Sequence, residues 1–412
     1  MILLDAAATT PVRRSALEAA WPFLTGEFGN PSSVHEPGLR AAQGLASARS
    51  TVAAFLGCRA SEVIFTSGGT EGANLAIKGL ALAAVLDSGR GPGPDPDPGS
   101  QRGRHLVTTR IEHEAVLESV AYLARVHGFA VTYAQTDASG LVTSAALSAA
   151  LRPDTSLVSI GYANNEVGTV QDVAALARLA HDVGALFHTD AVQAAASESL
   201  DVAALGVDAL SFSGHKIGAP KGSGALFVRG GLPLEPLLHG GGQERGRRSG
   251  TENVAWAVAL AAACAELAAE RALPLPRSSA AHSAWPSDRG EVTTAGRARD
   301  AFIAAVRARV PGARLTGHPS RRLPHHASFV VPGLNGETLL LELERRGVLA
   351  SSGSACAAGR TEPSHVLLAL GFTPDEASTA LRFTWTPDVT PEQLQQAAAA
   401  LADGAGALLG TA

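Results

Sequence analysis

Between residues 62 and 228 the chain repeats one pattern: a short apolar, β-favouring run, then a longer stretch with helical spacing. Strands are predicted at 63–66, 106–109, 130–134, 157–161, 185–188, 209–213 and 225–228, with helices over 71–86, 114–127 and 172–183. Such alternation demands right-handed crossovers and a largely parallel sheet with helices on both faces. The strand runs are apolar at successive positions, which suits burial on both sides. The expected fold class is therefore α/β: a large domain with a mostly parallel seven-stranded sheet flanked by helices, plus a smaller α+β C-terminal domain. Ligands of such sheets collect at the carboxyl ends of the strands.

The Pro/Gly/Asp-rich stretch 88–104 reads as a surface linker. A second polar stretch, 274–296, follows an Ala-rich helix over 253–271, placing a domain boundary near 255–275. With 412 residues, 46% of them hydrophobic, the chain can bury a large core. Its net charge of −5 removes any global electrostatic case for nucleic acid. The opening MILLDAAATTPVRR has no basic leader before a long apolar run, so no secretory signal is expected. Nor is a membrane span expected, because charge interrupts the Ala-rich helices. Cys58, Cys264 and Cys356 form no CxxC pair. That favours a reducing, cytoplasmic compartment and argues against a structural zinc site, so no metal is expected.

Polar clusters recur where predicted strands end. After 63–66 come Ser67, Gly68, Gly69 and Thr70 before a helix, either an anion site on first-turn amides or a plain capped turn. His113 lies between two glutamates at the next helix start, where capping is the commoner use. Asn164 and Asn165 could orient a ligand or stabilise a turn. Asp190 and Gln193 follow another strand, and Asp190 could hold a protonated ring nitrogen or cap a helix. In SFSGHKIGAPKG, Ser213, His215 and Lys216 share a glycine-framed turn, with Lys221 as the local competitor. A lysine with a depressed pKa there would be an amine nucleophile. The run HGGGQERGRRSGT, with Arg245, Arg247 and Arg248, is a further anion candidate. Cys264 reads as core and Cys58 as structural, whereas Cys356 lies uncovered among Ser, Gly and Ala. An anion turn, an acid for a ring nitrogen, an activated lysine and a bare thiol make the parts of a pyridoxal phosphate enzyme with an extra nucleophile.

The motifs LDAAATTPV, FGNPSS, FTSGGTEGANLAIKG, NNEVG, HTDAVQ, SFSGHKIGAPKG, HGGGQERGRRSGT and SSGSACAAGRTEPSHVLLALG run nearly end to end. In them the chain resembles the cysteine desulfurases of the NifS/IscS type, group I, within the class-V aminotransferase family of fold-type I enzymes. The resemblance implies pyridoxal 5′-phosphate, a large cofactor-binding domain over 16–260, and a small domain of 1–15 and 261–412 carrying the Cys356 loop. It implies Lys216 as the cofactor-bearing lysine and Gly69, Thr70, Ser213 and His215 on the phosphate. Thr251 would complete the phosphate site of a second copy in a homodimer. Asp190 would pair the ring nitrogen, His113 would stack on the ring and move protons, and Asn165 and Gln193 would contact ring substituents. Asn30 and Arg382 would bind the substrate carboxylate.

The implied reaction turns L-cysteine into L-alanine and leaves sulfur as a persulfide on Cys356. The sulfur would then pass to an acceptor for iron–sulfur cluster assembly or tRNA thiolation, with no direct nucleic-acid or membrane contact. A selenocysteine lyase, another class-V enzyme and a non-catalytic sulfur carrier are the alternatives. The chain departs from the pattern after Arg382, where RFTWTPDVT replaces R-F-S-x-G-R-x-T and drops the second arginine.

Overall fold

The computed structural model describes residues 1–88, 103–272, 294–352 and 363–410. Cys356 and most of both predicted linkers lie outside these residues. The strands, in chain order, are β1 (Ile2–Leu3), β2 (Val63–Thr66), β3 (His105–Thr109), β4 (Ala130–Ala134), β5 (Thr155–Ser159) and β6 (Leu186–Asp190). They continue with β7 (Ala209–Ser213), β8 (Gly224–Val228), β9 (Arg314–Leu315), β10 (His326–Val330), β11 (Val348–Leu349) and β12 (Ala380–Thr384).

Seven strands form the main sheet in the order β2-β8-β7-β6-β5-β3-β4. Pairing is parallel from β7 across to β4, and β8 alone runs against its neighbours. Successive residues point to opposite faces. Val107, Val158, Phe187, Leu210 and Phe227 enter one core, and Leu106, Leu157, Leu186, Ala209 and Leu226 enter the other. That double burial is why the strand runs read as continuously apolar. Helices Gly69–Ser88 and Glu114–His127 cover the second face. Helices Glu36–Leu56, Val173–Asp182 and Val254–Ala272 cover the first.

The seven predicted strands are these seven, three of them with the same bounds. The largest shift is at β5, which starts two residues earlier than the apolar pattern suggests. Thr155 and Ser156 enter the sheet because their hydroxyls find partners there: Thr155 Oγ1 meets His105 Nδ1 at 2.8 Å, and Ser156 Oγ donates to the His105 carbonyl at 3.0 Å.

A second body has its own core of Leu4, Phe302, Phe329, Leu339, Phe383, Trp385 and Leu401. It is built on the antiparallel sheet β12-β10-β9 and the parallel pair β1–β11. Trp385, from the segment that departs from the family pattern, is buried there with its ring edge-to-face on Phe302 at 5.8 Å. Pro387 and Asp388, where the family's second arginine would fall, are exposed. Helix Val254–Ala272 stays with the large core as far as Cys264 and Leu267, so a division after residue 260 falls inside this helix. Among the described residues, no helix is long and apolar enough to cross a membrane.

Candidate active site

All main-sheet strands except β8 end on one side, and the turns leaving them wall a cavity of about 330 Å³. β2 delivers Gly69 and Thr70 at the start of helix Gly69–Ser88. A Cβ on Gly69 would lie 2.4 Å from Val192 Cγ2, so only glycine lets this turn approach the neighbouring one. β3 delivers Glu112 and His113. His113 caps helix Glu114–His127, its Nδ1 accepting from the Ala115 amide at 3.0 Å, which assigns the ring proton to Nε2.

Glu112 is buried, with Oε1 accepting from Thr109 Oγ1 at 2.7 Å and Oε2 from the Gly161 amide at 2.8 Å. Burial pushes its carboxyl up to about 7, opposed by those hydrogen bonds. β6 delivers Asp190, whose Oδ1 accepts from the Val192 amide at 2.9 Å. Burial raises the Asp190 pKa too, while His113, that amide and Lys216 pull it down. Two residues earlier on β6, His188 joins Ser159 Oγ at 2.9 Å and Ser211 Oγ at 3.1 Å. Burial drives His188 down to about 3, so it offers Asp190 no positive charge. β7 delivers Ser213, His215 and Lys216. His215 is neutral as well, pushed down to about 4 by burial and by Lys216 and Lys221.

The opposite wall comes from the chain's first residues and from β12. Lys216 Nζ donates to the carbonyls of Ala7 and Ala8, the latter at 2.8 Å. Gln193 Nε2 also donates to the Ala7 carbonyl at 3.2 Å, and His215 Nδ1 meets Thr9 Oγ1 at 3.2 Å. Arg382 projects from β12, its Nη2 donating to Asp5 Oδ1 at 2.9 Å and its Nη1 to the Asn165 carbonyl at 3.2 Å. Asn164 lines the cavity, but its side-chain amide is committed to folding its own loop. Its Oδ1 accepts from the Glu166 and Val167 amides at 2.9 Å each, and its Nδ2 donates to the Ile111 carbonyl at 2.8 Å. Ser364 and His365 return to the same region: Ser364 Oγ donates to Glu166, and His365 Nε2 to the Glu112 carbonyl at 3.0 Å.

The cavity thus gathers Gly69, Thr70, His113, Asn165, Asp190, Gln193, Ser213, His215, Lys216 and Arg382. Asn30 is not among its walls: it is exposed, with Oδ1 accepting from the Ser32 amide at 2.9 Å. Thr251 is exposed beside a second cavity of about 190 Å³. Glu112 and Asp5 are the groups that sequence reasoning passed over. Glu112 adjoins a histidine that drew the attention, and Asp5 belongs to the first quoted motif but carries no chemistry until Arg382 arrives beside it.

A carboxylate, an imidazole, an amine and a guanidinium around one cavity can hold a zwitterionic ligand and move its protons. Residues 2–273 match the model of the aminotransferase class-V family. The chain is 41% identical over 393 residues, 95% of its length and 91% of the relative's, to the cysteine desulfurase IscS of Dictyoglomus turgidum. It is 41% identical to that of Methanosarcina thermophila, over 93% of this chain and 86% of the relative. Among solved structures, a NifS-like protein superposes with a TM-score of 0.82 at 33% identity, over 98% of both chains. A structure of SspA in complex with cysteine gives 0.76 at 33% identity, over 94% of this chain and 99% of that one.

Proposed function

This chain belongs to the cysteine desulfurases of the class-V aminotransferase family, and on that premise we propose that it converts L-cysteine to L-alanine. The sulfur passes to Cys356 as a persulfide and then to an acceptor for iron–sulfur cluster assembly or tRNA thiolation. One observation carries the reading: Asp190, His113, Lys216 and Arg382, far apart in sequence, converge on a single cavity.

The family depends on pyridoxal phosphate, and the donor set suits that cofactor. Asp190 is a half-buried carboxylate whose pKa desolvation raises although His113 and Lys216 pull it down, which suits a protonated ring nitrogen. The first-turn amides at Gly69 and Thr70, with Ser213 and His215, suit a phosphate. When bound, the cofactor supplies an electron sink for negative charge at the substrate Cα.

The protein's own groups do the rest. Lys216 would anchor the cofactor through Nζ, and its free amine would take the proton from the substrate Cα. Arg382 holds the α-carboxylate. His113 exchanges protons through Nε2, its Nδ1 being occupied by the Ala115 amide. The Cys356 thiolate attacks the substrate sulfur: an S–S bond forms as the Cβ–S bond breaks, Cβ gains a proton and alanine leaves. Cysteine and thiol become alanine and persulfide, with no external oxidant. The enzyme works as a cytoplasmic homodimer in which Thr251 completes the neighbour's phosphate site. Exposed Leu17, Trp21 and Leu24, at helical spacing on Arg14–Thr25, suit such an interface.

The test is alanine formed from L-cysteine plus reductant by wild type and Cys356→Ala. Wild type is expected to make equal alanine and sulfide and the variant almost none. Equal alanine from both would replace this reading with a lyase that needs no thiol.

A further inference from the structure

Arg382 is one of the largest fully buried side chains of the protein, at 2% exposure. Its guanidinium has five donors, and the described residues account for only part of them. Nη2 is taken by Asp5 and Nη1 by the Asn165 carbonyl, while Nε is buried with no hydrogen-bond partner among the described residues. Arg382 lines the cavity, and a buried guanidinium whose donors are only partly met suits a ligand carboxylate. How well that ligand is met depends on how firmly the planar guanidinium is held beforehand.

Asp5 is built to do the holding. Its backbone lies against β12: the Thr384 amide donates to the Leu4 carbonyl at 2.8 Å and the Ala6 amide to the Thr384 carbonyl at 3.0 Å. From there its carboxylate reaches Arg382 across a partly exposed gap, with 27% of the Asp5 side chain accessible. Two residues further on, Ala7 and Ala8 carry the carbonyls that receive Lys216. One short segment therefore ties down both the guanidinium and the amine.

We propose that Asp5 is a positioning residue for substrate binding: it fixes the plane of the Arg382 guanidinium where Arg382 lines the cavity, ready for the α-carboxylate. The inference rests on Arg382 being the carboxylate-binding group of the proposed reaction. Asp5 touches no reacting atom, so its removal weakens capture of carboxylate ligands and leaves turnover of bound substrate nearly unchanged.

The test uses cofactor-loaded enzyme and measures equilibrium binding of the product L-alanine by calorimetry alongside KM and kcat for L-cysteine. Asp5→Ala is expected to weaken L-alanine and raise KM about tenfold, with kcat within about twofold. Asp5→Asn, which keeps an acceptor for Nη2, is expected to recover most of the affinity. Asp5→Glu displaces the acceptor by one methylene and is expected to cost at least about threefold in affinity. This variant also serves should Asp5→Ala fold poorly. In an Arg382→Ala background, Asp5→Ala is expected to add nothing, since both act through one group.

Unchanged alanine affinity in Asp5→Ala and Asp5→Glu, beside an Arg382→Ala that loses it, would overturn the role of Asp5 alone. Additive effects of Asp5→Ala and Arg382→Ala would do the same. An Arg382→Ala that keeps its alanine affinity would overturn the carboxylate role of Arg382, and that of Asp5 with it.

Discussion

The two walls of the cavity are built on opposite principles. On the sheet side, Gly69, His113, Asp190 and Lys216 each leave the end of a strand of the one main sheet, whose fold brings them together. On the other side, Asp5 and Arg382 are 377 positions apart and meet through a pairing between the first residues and β12. The first wall presents groups that titrate, and the second presents a permanently charged clamp and backbone carbonyls. Chemistry is concentrated on the locally built wall, and ligand capture on the wall assembled at long range.

Substitutions can break this division. The largest effect belongs to the sheet wall: Lys216→Ala is expected to lower alanine formation at least about a thousandfold and abolish the absorbance of bound cofactor. Next, Asp190→Asn is expected to lower kcat by about a hundredfold with little change in KM. Arg382→Lys, on the facing wall, is expected to do the reverse, raising KM about tenfold with a smaller change in kcat, because a point charge replaces a planar fork. A kcat collapse of equal size in both would erase the contrast between the walls.

The smallest expected effect sharpens it. Glu112 has an ordinary pKa of 4.5 and is pushed up to about 7 by burial. Its raised pKa favours the folded state fully below pH 4.5, and that contribution is lost as pH rises through about 7. Glu112→Gln, which stays neutral, is expected to gain about 1–3 kcal/mol over wild type between pH 5 and pH 8 in denaturant unfolding. Parallel curves for the two proteins over that range would show that Glu112 does not titrate in the fold.

The same contrast explains what was legible in the sequence. A strand is announced by its own residues, and a turn by its glycines, so β2, β4 and β7 fall where the pattern puts them. The candidates at strand ends could be found one motif at a time because each motif contains its own strand and turn. Asp5 could not be read this way: nothing local distinguishes it from a solvent-exposed acid until β12 is in place. Glu112 was hidden for another reason. Its burial is tolerated because the Thr109 hydroxyl and the Gly161 amide satisfy it, partners a one-dimensional pattern does not reveal. Trp385 teaches the complement, since a position that the family motif leaves open turns out to fill the second core.

The pairing of the first residues with the last sheet also sets a timetable. A ribosome adding 5–20 residues per second makes Thr384 roughly 20–75 s after the segment it will hold. Through that interval the sheet wall can form, since β2 to β8 are all complete by residue 228, while the segment that receives Lys216 and Asp5's grip on Arg382 must wait. The sheet wall can thus stand before the facing wall exists, and the two meet only once Thr384 is there to pair with Leu4 and Ala6.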